Sequence, residues 1–307
     1  MKIILDAFGG DYAPAEVIAG GLDALAKRRD LSLIFAGKEA EIEAVLKGRS
    51  YDAGRVEILN APEVISCEEE PTAAIKRKPD SSLCVGFRRL KEDEAVKGFV
   101  SAGSTGAFLV GATLKLGRIK GISRPALCPR IPNLRGTGTL LCDCGANLEC
   151  KPVNLAHFAI MATAYAQAAY GMKSPKVGLL NNGTEDHKGD EMHREANALL
   201  KQISCIDYAG NVEGRDIMAG DIDIAVADGF TGNIALKLIE GTVSTLFGLI
   251  KQVFYKNLKN KLAALTVKSD LVSLKSMMDS SEVGGAPLMG VRGTVIKAHG
   301  NSDAKAI

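Results

Sequence analysis

The chain has 307 residues, long enough for one large domain or for two lobes that share a core. Hydrophobic residues make up 46% of it, and 38 basic against 36 acidic residues leave a net charge of +2. This balance gives no overall positive field, which argues against nucleic acid as a partner. The apolar N-terminal run is too short for a signal peptide, and no stretch approaches the roughly 20 apolar residues of a membrane span. We therefore expect a cytoplasmic protein.

Short apolar runs alternate with helical patterns along the chain. Predicted strands lie at 1–7, 31–37, 98–103, 138–147, 176–183, 203–211 and 221–229. Predicted helices lie at 14–28, 38–48, 105–117 and 153–171. This alternation predicts an α/β protein with a largely parallel sheet covered by helices. Because no repeat, linker or low-complexity tract marks a boundary, we expect a single domain over residues 1–307.

Small polar turns that contain glycine recur through the chain, most of them directly after a predicted strand. They lie at 6–11, 101–107, 143–147, 181–189, 210–214, 228–233 and 299–303. In open α/β sheets, ligands bind beyond the carboxyl ends of the strands, where glycine lets the backbone approach and helix N-termini attract anions. One such turn is usually a simple connection, but seven together predict a polar cleft suited to an anion.

The common catalytic motifs are missing from these turns. The sequence has no GxxxxGK[ST], no GxGxxG after a strand, no HExxH and no GxSxG. The usual nucleotide, metalloprotease and hydrolase interpretations therefore lose their main support.

The 181–189 turn carries a cation, Lys188, which could neutralise a phosphate or a developing oxyanion. On position alone, a solvated loop lysine is the more common case. His187 and His193 flank it, and loop histidines are usually solvated, so the sequence gives them little weight.

The chain has seven cysteines, and this odd number without a CxxC pair favours neither a disulfide framework nor a zinc site. We interpret the cluster of Cys142, Cys144 and Cys150 as small residues that fill the core. Cys144 has no neighbouring histidine in the sequence to activate it, so we expect no cysteine nucleophile.

Eight segments in a fixed order carry a resemblance that covers essentially the whole chain. They are DAFGGDYAP, SAGSTGA, CDCGANLECKP, VGLLNNGTEDHKG, GNVEGRD, VADGFTGNIALK, GGAPLMG and AHGNSDAKAI. In these segments the chain closely resembles the bacterial phosphate acyltransferase family, phosphate:acyl-ACP acyltransferase (PlsX). The resemblance implies a three-layer α/β/α fold similar to the isopropylmalate dehydrogenases and the phosphotransacetylases, and a homodimer.

The resemblance also implies a reaction, in which acyl carrier protein (ACP) loaded with a fatty acyl group reacts with phosphate to give acyl phosphate and free ACP. The acyl phosphate would pass to a membrane glycerol-3-phosphate acyltransferase for phospholipid synthesis. The protein would be cytoplasmic and peripherally associated with the membrane. The reaction requires no metal and no redox cofactor.

The roles carried over by motif are catalysis for Lys188 of HKG and Asn233 of FTGN. Substrate and phosphate binding is expected of Asp6, Gly9, Gly10, Asp11, Ser101, Ser104, Thr105, Gly106, Asp143, Asn147, Asn182, Thr184, Glu185, Asp228, Thr231 and His299. Asn233 has an alternative role as the cap of the helix that follows it.

Three positions depart from the family pattern. Phe8 stands where methionine is usual, Ser104 where asparagine is common, and Asn182 where isoleucine is usual. Ser104 and Asn182 are polar and near the expected site, so they put individual contacts in doubt.

Two rival functions remain open. A metal-dependent nicotinamide dehydrogenase on a related fold would use Asp223 and Asp228, although two aspartates near a strand end are more often a cap and a turn residue. A non-enzymatic protein that binds a carrier or a membrane would rely on the basic segment described next.

A basic amphipathic helical region is predicted at about 234–279. Between Glu240 and Asp270 it holds five lysines and no acidic residue. Its expected apolar stripe is Ile239, Val243, Leu246, Ile250 and Val253, widened by Phe247, Phe254 and Leu258. The region would either pack against the core or a dimer partner, or face anionic lipid or the acidic carrier protein.

Overall fold

The structure is a computed structural model that describes residues 1–278 and 284–307. Within it the chain divides into two compact units, Met1–Leu127 with Gly284–Ile307, and Cys128–Val283. Each unit has its own sheet, whereas the sequence predicted one sheet and no boundary. The α/β class with largely parallel strands is confirmed. That the whole chain acts as one domain stays a prediction.

The first unit contains a seven-stranded sheet in the order β3-β2-β1-β4-β12-β11-β5. Its strands are β1 (Lys2–Asp6), β2 (Ser32–Gly37), β3 (Val56–Asn60), β4 (Val96–Ser101), β5 (Ala126–Leu127), β11 (Ala286–Met289) and β12 (Val295–Lys297). β1 to β4 and β12 pair in parallel, while β11 is antiparallel to both of its neighbours. The carboxyl ends of β1, β4 and β12 therefore lie side by side at one edge.

The helices of the first unit are α1 (Ala15–Lys27), α2 (Glu39–Leu46), α3 (Pro71–Arg77), α4 (Ser82–Glu92) and α5 (Thr105–Gly111). The last is continued by a π-helical turn, Ala112–Leu116, so the predicted helix 105–117 changes its winding midway. Apolar residues of β1, β2 and α1 form a buried core, which includes Leu5, Ile18 and Phe35. The sequence interpretation left 49–97 unassigned, and β3, α3 and α4 lie there.

The second unit contains a five-stranded sheet in the order β6-β7-β10-β8-β9. Its strands are β6 (Arg130–Ile131), β7 (Thr139–Cys142), β8 (Lys176–Leu180), β9 (Asp207–Val212) and β10 (Ile224–Val226). Its helices are α6 (Pro152–Tyr170), α7 (Glu191–Leu200), α8 (Gly214–Ala219), α9 (Gly229–Tyr255), α10 (Leu258–Thr266) and α11 (Lys268–Met278). β7, β10 and β8 are parallel neighbours, so the turns that follow them meet at one edge.

All four strands predicted in the second unit, at 138–147, 176–183, 203–211 and 221–229, are longer than the observed ones, and the local structure explains two of the differences. The strand expected at 203–211 begins only at Asp207, because the Ile203 amide bonds to the Leu200 carbonyl and closes a turn after α7. The strand expected at 221–229 is reduced to Ile224–Val226, because Asp228 already caps the next helix.

The basic region predicted at 234–279 forms three helices, and residue 279 lies outside the described residues. α9 is 27 residues long, and it is long and apolar enough to cross a membrane by length and composition. This corrects the expectation that no stretch approaches that length. The most apolar stretch of the helix is not buried in this structure, and core helices of soluble proteins also meet this criterion of length and composition.

Candidate active site

In the first unit, two polar side chains join the ends of β1 and β4. The Ser101 hydroxyl donates to Asp6 Oδ2 at 2.6 Å, and the Phe8 amide donates to Asp6 Oδ1 at 3.3 Å. Burial raises the pKa of the Asp6 carboxyl, and hydrogen bonds from Ser101, Ser82 and the Phe8 amide oppose that shift. Asp6 and Ser101 therefore hold the two turns together. Ser82, at the start of α4, is a contributor that the sequence interpretation missed.

Gly9 and Gly10 are required by this close packing. A Cβ atom on Gly9 would lie 2.6 Å from Asp6 Oδ2 and 2.7 Å from the Gly103 nitrogen. Gly10 has a φ of +101°, which side chains other than glycine rarely adopt. The Asp11 amide donates to the Gly300 carbonyl at 2.8 Å, which places the turn of His299 beside the first turn.

Ser104 is the N-cap of α5. Its hydroxyl accepts from the Ala107 amide at 3.3 Å. Thr105 is exposed, and Gly106 packs against Pro71 with no room for a side chain. The serine that replaces the family's common asparagine thus has a structural role as a cap.

In the second unit, Asp143 organises the turn after β7. It is fully buried and accepts from the Cys144 amide at 2.6 Å and from the Asn147 amide at 2.7 Å. The Asn147 side chain donates to the same carboxylate at 2.9 Å. Like Asp6, Asp143 shapes its turn with a carboxylate that is already engaged by the protein.

The N-terminus of α9 packs directly against that turn. A Cβ atom on Gly232 would lie 1.9 Å from the Asp143 carbonyl oxygen, so only glycine fits there. One residue later, the side-chain amide of Asn233 lies beside Gly145. A Cβ atom added to Gly145 would be 3.6 Å from Asn233 Cγ. The exposed Asn233 side chain and the 143–147 turn therefore form one surface.

Asp228, and not Asn233, caps α9. Its Oδ1 accepts from the amides of Phe230 and Thr231 at 3.0 and 2.9 Å. The alternative that Asn233 caps a helix beginning after it is wrong, because α9 already begins at Gly229. Asn233 thus remains available for a ligand.

The turn after β8 presents Lys188, and amide side chains close it. Asn182 Oδ1 accepts from the Gly189 amide at 3.1 Å, and the Asn181 side chain donates to the Lys188 carbonyl at 3.3 Å. The asparagine that replaces the usual isoleucine thus stabilises the turn. The aliphatic part of Lys188 packs over Gly183, and its ammonium group has no ion-pair partner within residues 1–278 and 284–307. Thr184 and Glu185 are exposed on the same turn.

His193, which the sequence gave little weight, contacts this edge of the second unit. It lies in the first turn of α7 and contacts Asp190 and Asp228. Only the pairing of distant strands brings it to Asp228, so no local pattern indicates the contact.

The predicted site residues thus form two clusters, one on each unit. The first unit brings together Asp6, Gly9, Gly10, Asp11, Ser101 and the turn of His299. The second brings together Asp143, Asn147, Asp228, Thr231 and Asn233, with Lys188 on the neighbouring turn. No group of three or more histidine, cysteine, aspartate or glutamate side chains suited to a metal ion occurs among the described residues.

Solved structures with a similar fold include two phosphotransacetylases. EutD phosphotransacetylase from Staphylococcus aureus superposes with a TM-score of 0.62 at 19% identity, covering 100% of this chain and 90% of that chain. A phosphotransacetylase from Streptococcus pyogenes gives a TM-score of 0.63 at 19% identity, with the same coverage. At this identity the likeness shows the fold alone, and the fold is of the phosphotransacetylase type.

Sequence relatives define the class more closely. Phosphate acyltransferase from Acetivibrio thermocellus is 47% identical over 307 residues, covering 100% of this chain and 90% of the relative. The protein of the same name from Clostridium tetani is 46% identical over 306 residues and 91% covered. The family model described as fatty acid synthesis protein matches residues 1–307. These matches define an acyltransferase of lipid biosynthesis. The chain belongs to the phosphate acyltransferase family of fatty acid and phospholipid synthesis.

Proposed function

We propose that this protein transfers a fatty acyl group from acyl carrier protein to inorganic phosphate. A phosphate oxygen attacks the thioester carbonyl, a carbon–oxygen bond forms, and the carbon–sulfur bond breaks. The proton of hydrogen phosphate ends on the departing thiolate, so the products are acyl phosphate and the free carrier thiol. Family membership supports the acyl transfer to phosphate, while the carrier protein as donor and the direct attack are our proposals.

The observation that carries the proposal is the surface of the second unit around Asn233 and Lys188. Lys188 offers an ammonium group that is unpaired within the described part of the chain, on a turn closed by Asn181 and Asn182. Asn233 offers an amide beside the glycine turn that Asp143 shapes. In this proposal Lys188 holds phosphate next to the thioester. Asn233 or a backbone N–H stabilises the tetrahedral oxyanion, and each such donor contributes about 3 kcal/mol.

Direct attack needs no protein nucleophile, because phosphate is itself the nucleophile and a thiolate leaves readily. This agrees with a sequence that lacks a serine–histidine hydrolase motif. The proposed reaction uses neither a metal ion nor a redox cofactor.

We further propose that the protein acts in the cytoplasm as a homodimer, peripherally associated with an anionic membrane surface. There its product passes to a membrane glycerol-3-phosphate acyltransferase. The support is the resemblance together with the exposed apolar and basic surface of α9 to α11. The small net charge of +2 supports a role without nucleic acid.

The test measures thiol release from acyl-ACP with and without phosphate, and repeats it with acyl-CoA. We expect release that depends on phosphate, with acyl phosphate as the second product. Hydrolysis to free fatty acid, or release that ignores phosphate, would contradict the proposed reaction. Turnover with acyl-CoA but not with acyl-ACP would show that coenzyme A, and not ACP, carries the acyl group.

The rival dehydrogenase function is weakened by the two aspartates on which it relied. Asp223 Oδ2 accepts from the Lys176 amide at 2.8 Å, and Asp228 caps α9. Both carboxylates therefore have structural roles. Reduction of a nicotinamide cofactor in the presence of a divalent metal would support the dehydrogenase function again. Phosphate-dependent turnover of acyl-ACP would exclude the second rival, a non-enzymatic protein that binds a carrier or a membrane.

A further inference from the structure

His193 lies between two aspartates in the second unit. Its Nδ1 is 2.7 Å from Asp190 Oδ1, and its backbone amide donates to the same oxygen at 2.9 Å. Its Nε2 is 4.0 Å from Asp228 Oδ2, a separation at which a protonated imidazole forms an ion pair. The side chains of His193 and Asp228 are only 14% and 10% exposed. The ring is therefore held inside the protein, unlike a solvated loop histidine.

The two aspartates are the N-caps of two different helices. Asp190 caps α7, which follows the turn of Lys188. Asp228 caps α9, which carries Asn233 one turn later. The hydrogen bonds from His193 lower the pKa of Asp190, and the backbone amide has a larger effect than the ring. One imidazole thus contacts the starts of both helices.

The first turn of α7 is also tied to the segment that carries Lys188. The Arg194 side chain donates to the Gly189 carbonyl at 2.7 Å, directly after Lys188. A displacement of the first turn of α7 would therefore be transmitted to Lys188. On the side of α9, Asp228 uses Oδ1 to accept from the two amides that it caps, and its Oδ2 faces His193.

We propose that His193 is a positioning residue that keeps the Lys188 turn and the Asn233 helix in register through Asp190 and Asp228. This inference rests on the proposed function, since Lys188 and Asn233 are the groups that it aligns. His193 itself touches neither phosphate nor thioester. Its loss should lower the rate of the chemical step more than it weakens substrate binding.

The experiment compares His193→Phe and His193→Gln with His187→Phe and His187→Gln in the full-length protein. His187 is an exposed histidine of the 181–189 turn itself, directly before Lys188, so its variants control for the loss of a histidine from this turn. We expect His193→Phe to lower kcat about 10-fold with KM for phosphate changed less than about 2-fold, because small displacements of catalytic groups are costly. His193→Gln keeps one donor and should recover part of the loss, while both His187 variants should stay within about 2-fold of wild type.

Amide hydrogen exchange gives a readout that does not require activity. His193→Phe should speed exchange both at 188–190 and at Phe230 and Thr231, and the His187 variants should leave Phe230 and Thr231 unchanged. Unchanged exchange at 228–233 in His193→Phe, or a rate loss fully explained by unfolded protein, would overturn the proposal. If the wild-type protein shows no phosphate-dependent turnover, the proposed function fails. The exchange experiment still decides whether His193 connects the start of α7 to the start of α9.

Discussion

Lys188 is a cation on a turn that amide side chains hold closed, and its ammonium group is not paired within the described residues. If it binds phosphate or the oxyanion, Lys188→Ala should lower turnover on the order of 10²-fold while the protein folds normally. The measurement is phosphate-dependent thiol release at equal folded concentration. Lys176→Ala is a suitable control, because Lys176 is exposed and begins β8, at the opposite end of the strand from the Lys188 turn. Near wild-type turnover by Lys188→Ala would remove this residue from the mechanism.

For Asn233, a role in binding the substrate can be distinguished from a role in capping a helix. Because Asp228 already caps α9, Asn233→Ala should leave the melting temperature nearly unchanged and still lower turnover on the order of 10²-fold. The check is a melting curve and an activity assay on the same preparation. Asp228→Ala is the comparison, since removing a cap costs about 1 kcal/mol. A large stability loss with little specific rate loss in Asn233→Ala would favour a structural role.

Cys144 is poorly suited to be a nucleophile. Burial raises the pKa of its thiol well above the usual range, and the neighbouring Asp143 carboxylate raises it further. The thiol therefore stays protonated at neutral pH, and only the thiolate attacks thioesters. Cys144→Ala should keep substantial activity in the thiol-release assay. Isolation of an acyl group covalently bound to Cys144 would contradict direct attack by phosphate.

At the scale of elements, α9 to α11 differ from the rest of the described chain. After Gly232 these helices contain no buried residue, and Leu258 and Leu265 are 73% and 68% exposed. The half-buried stripe on α9 runs through Ile239, Val243, Phe247, Ile250 and Phe254. Leu246 and Val253, predicted to belong to the stripe, are instead exposed. Apolar surface of this kind marks an interaction site.

The same helices carry five spaced lysines in a segment that is basic as a whole. Lys251, Lys256, Lys259, Lys261 and Lys268 have no acidic residue among them. Near an anionic membrane each lysine contributes about 1 kcal/mol, so several support reversible attachment that salt weakens. We predict that the protein sediments with anionic but not neutral vesicles. High salt and the combined replacement of Lys256, Lys259 and Lys261 by glutamate should both reduce that binding.

A control for this prediction must change the net charge equally elsewhere. Lys27, Lys47 and Lys91 are exposed lysines of the first unit that form no ion pair with any described residue, so replacing these three by glutamate is a matched variant. It should sediment like wild type. Equal binding to neutral and anionic vesicles, or equal effects of the two triple variants, would defeat the electrostatic explanation.

At the scale of the whole molecule, the first unit is built from both ends of the chain. β12, from the last 24 described residues, lies between β4 and β11 and pairs Val295 with Phe99. Val295 and Leu288 are 1% and 3% exposed, and burying each such side chain contributes about 1.5–3 kcal/mol. A domain is stable by only about 5–15 kcal/mol, so this segment decides whether the unit folds.

A chain that ends at residue 283 should therefore lose the cooperative unfolding of the first unit, as measured by circular dichroism during heating. The 143–147 turn and α9 belong to the other unit, so hydrogen exchange there should change less. Addition of a peptide of residues 284–307 should restore part of the transition. A truncated chain that melts like the full-length protein would show that β11 and β12 contribute little to stability.

The sequence by itself determined the α/β class, because the apolar runs that predicted strands alternate along the chain with the periodic segments that predicted helices. It also located the turns that carry Asp6, Ser101, Asp143, Lys188 and Asn233, since small polar residues and glycine follow the strands directly. The family follows from the same segments. All of these are local features, so a single stretch of chain is enough to read them.

Only the tertiary structure decided the division into two sheets, the roles of the aspartates and the position of His193. β12 joins β4 from the far end of the chain, and β10 inserts between β7 and β8, which precede it in sequence. Such pairings depend on which hydrophobic faces bury each other, and that is a property of the assembled core. Asp228 and His193 are far apart in sequence and meet because β8 and β10 are neighbours, so their contact has no local signature.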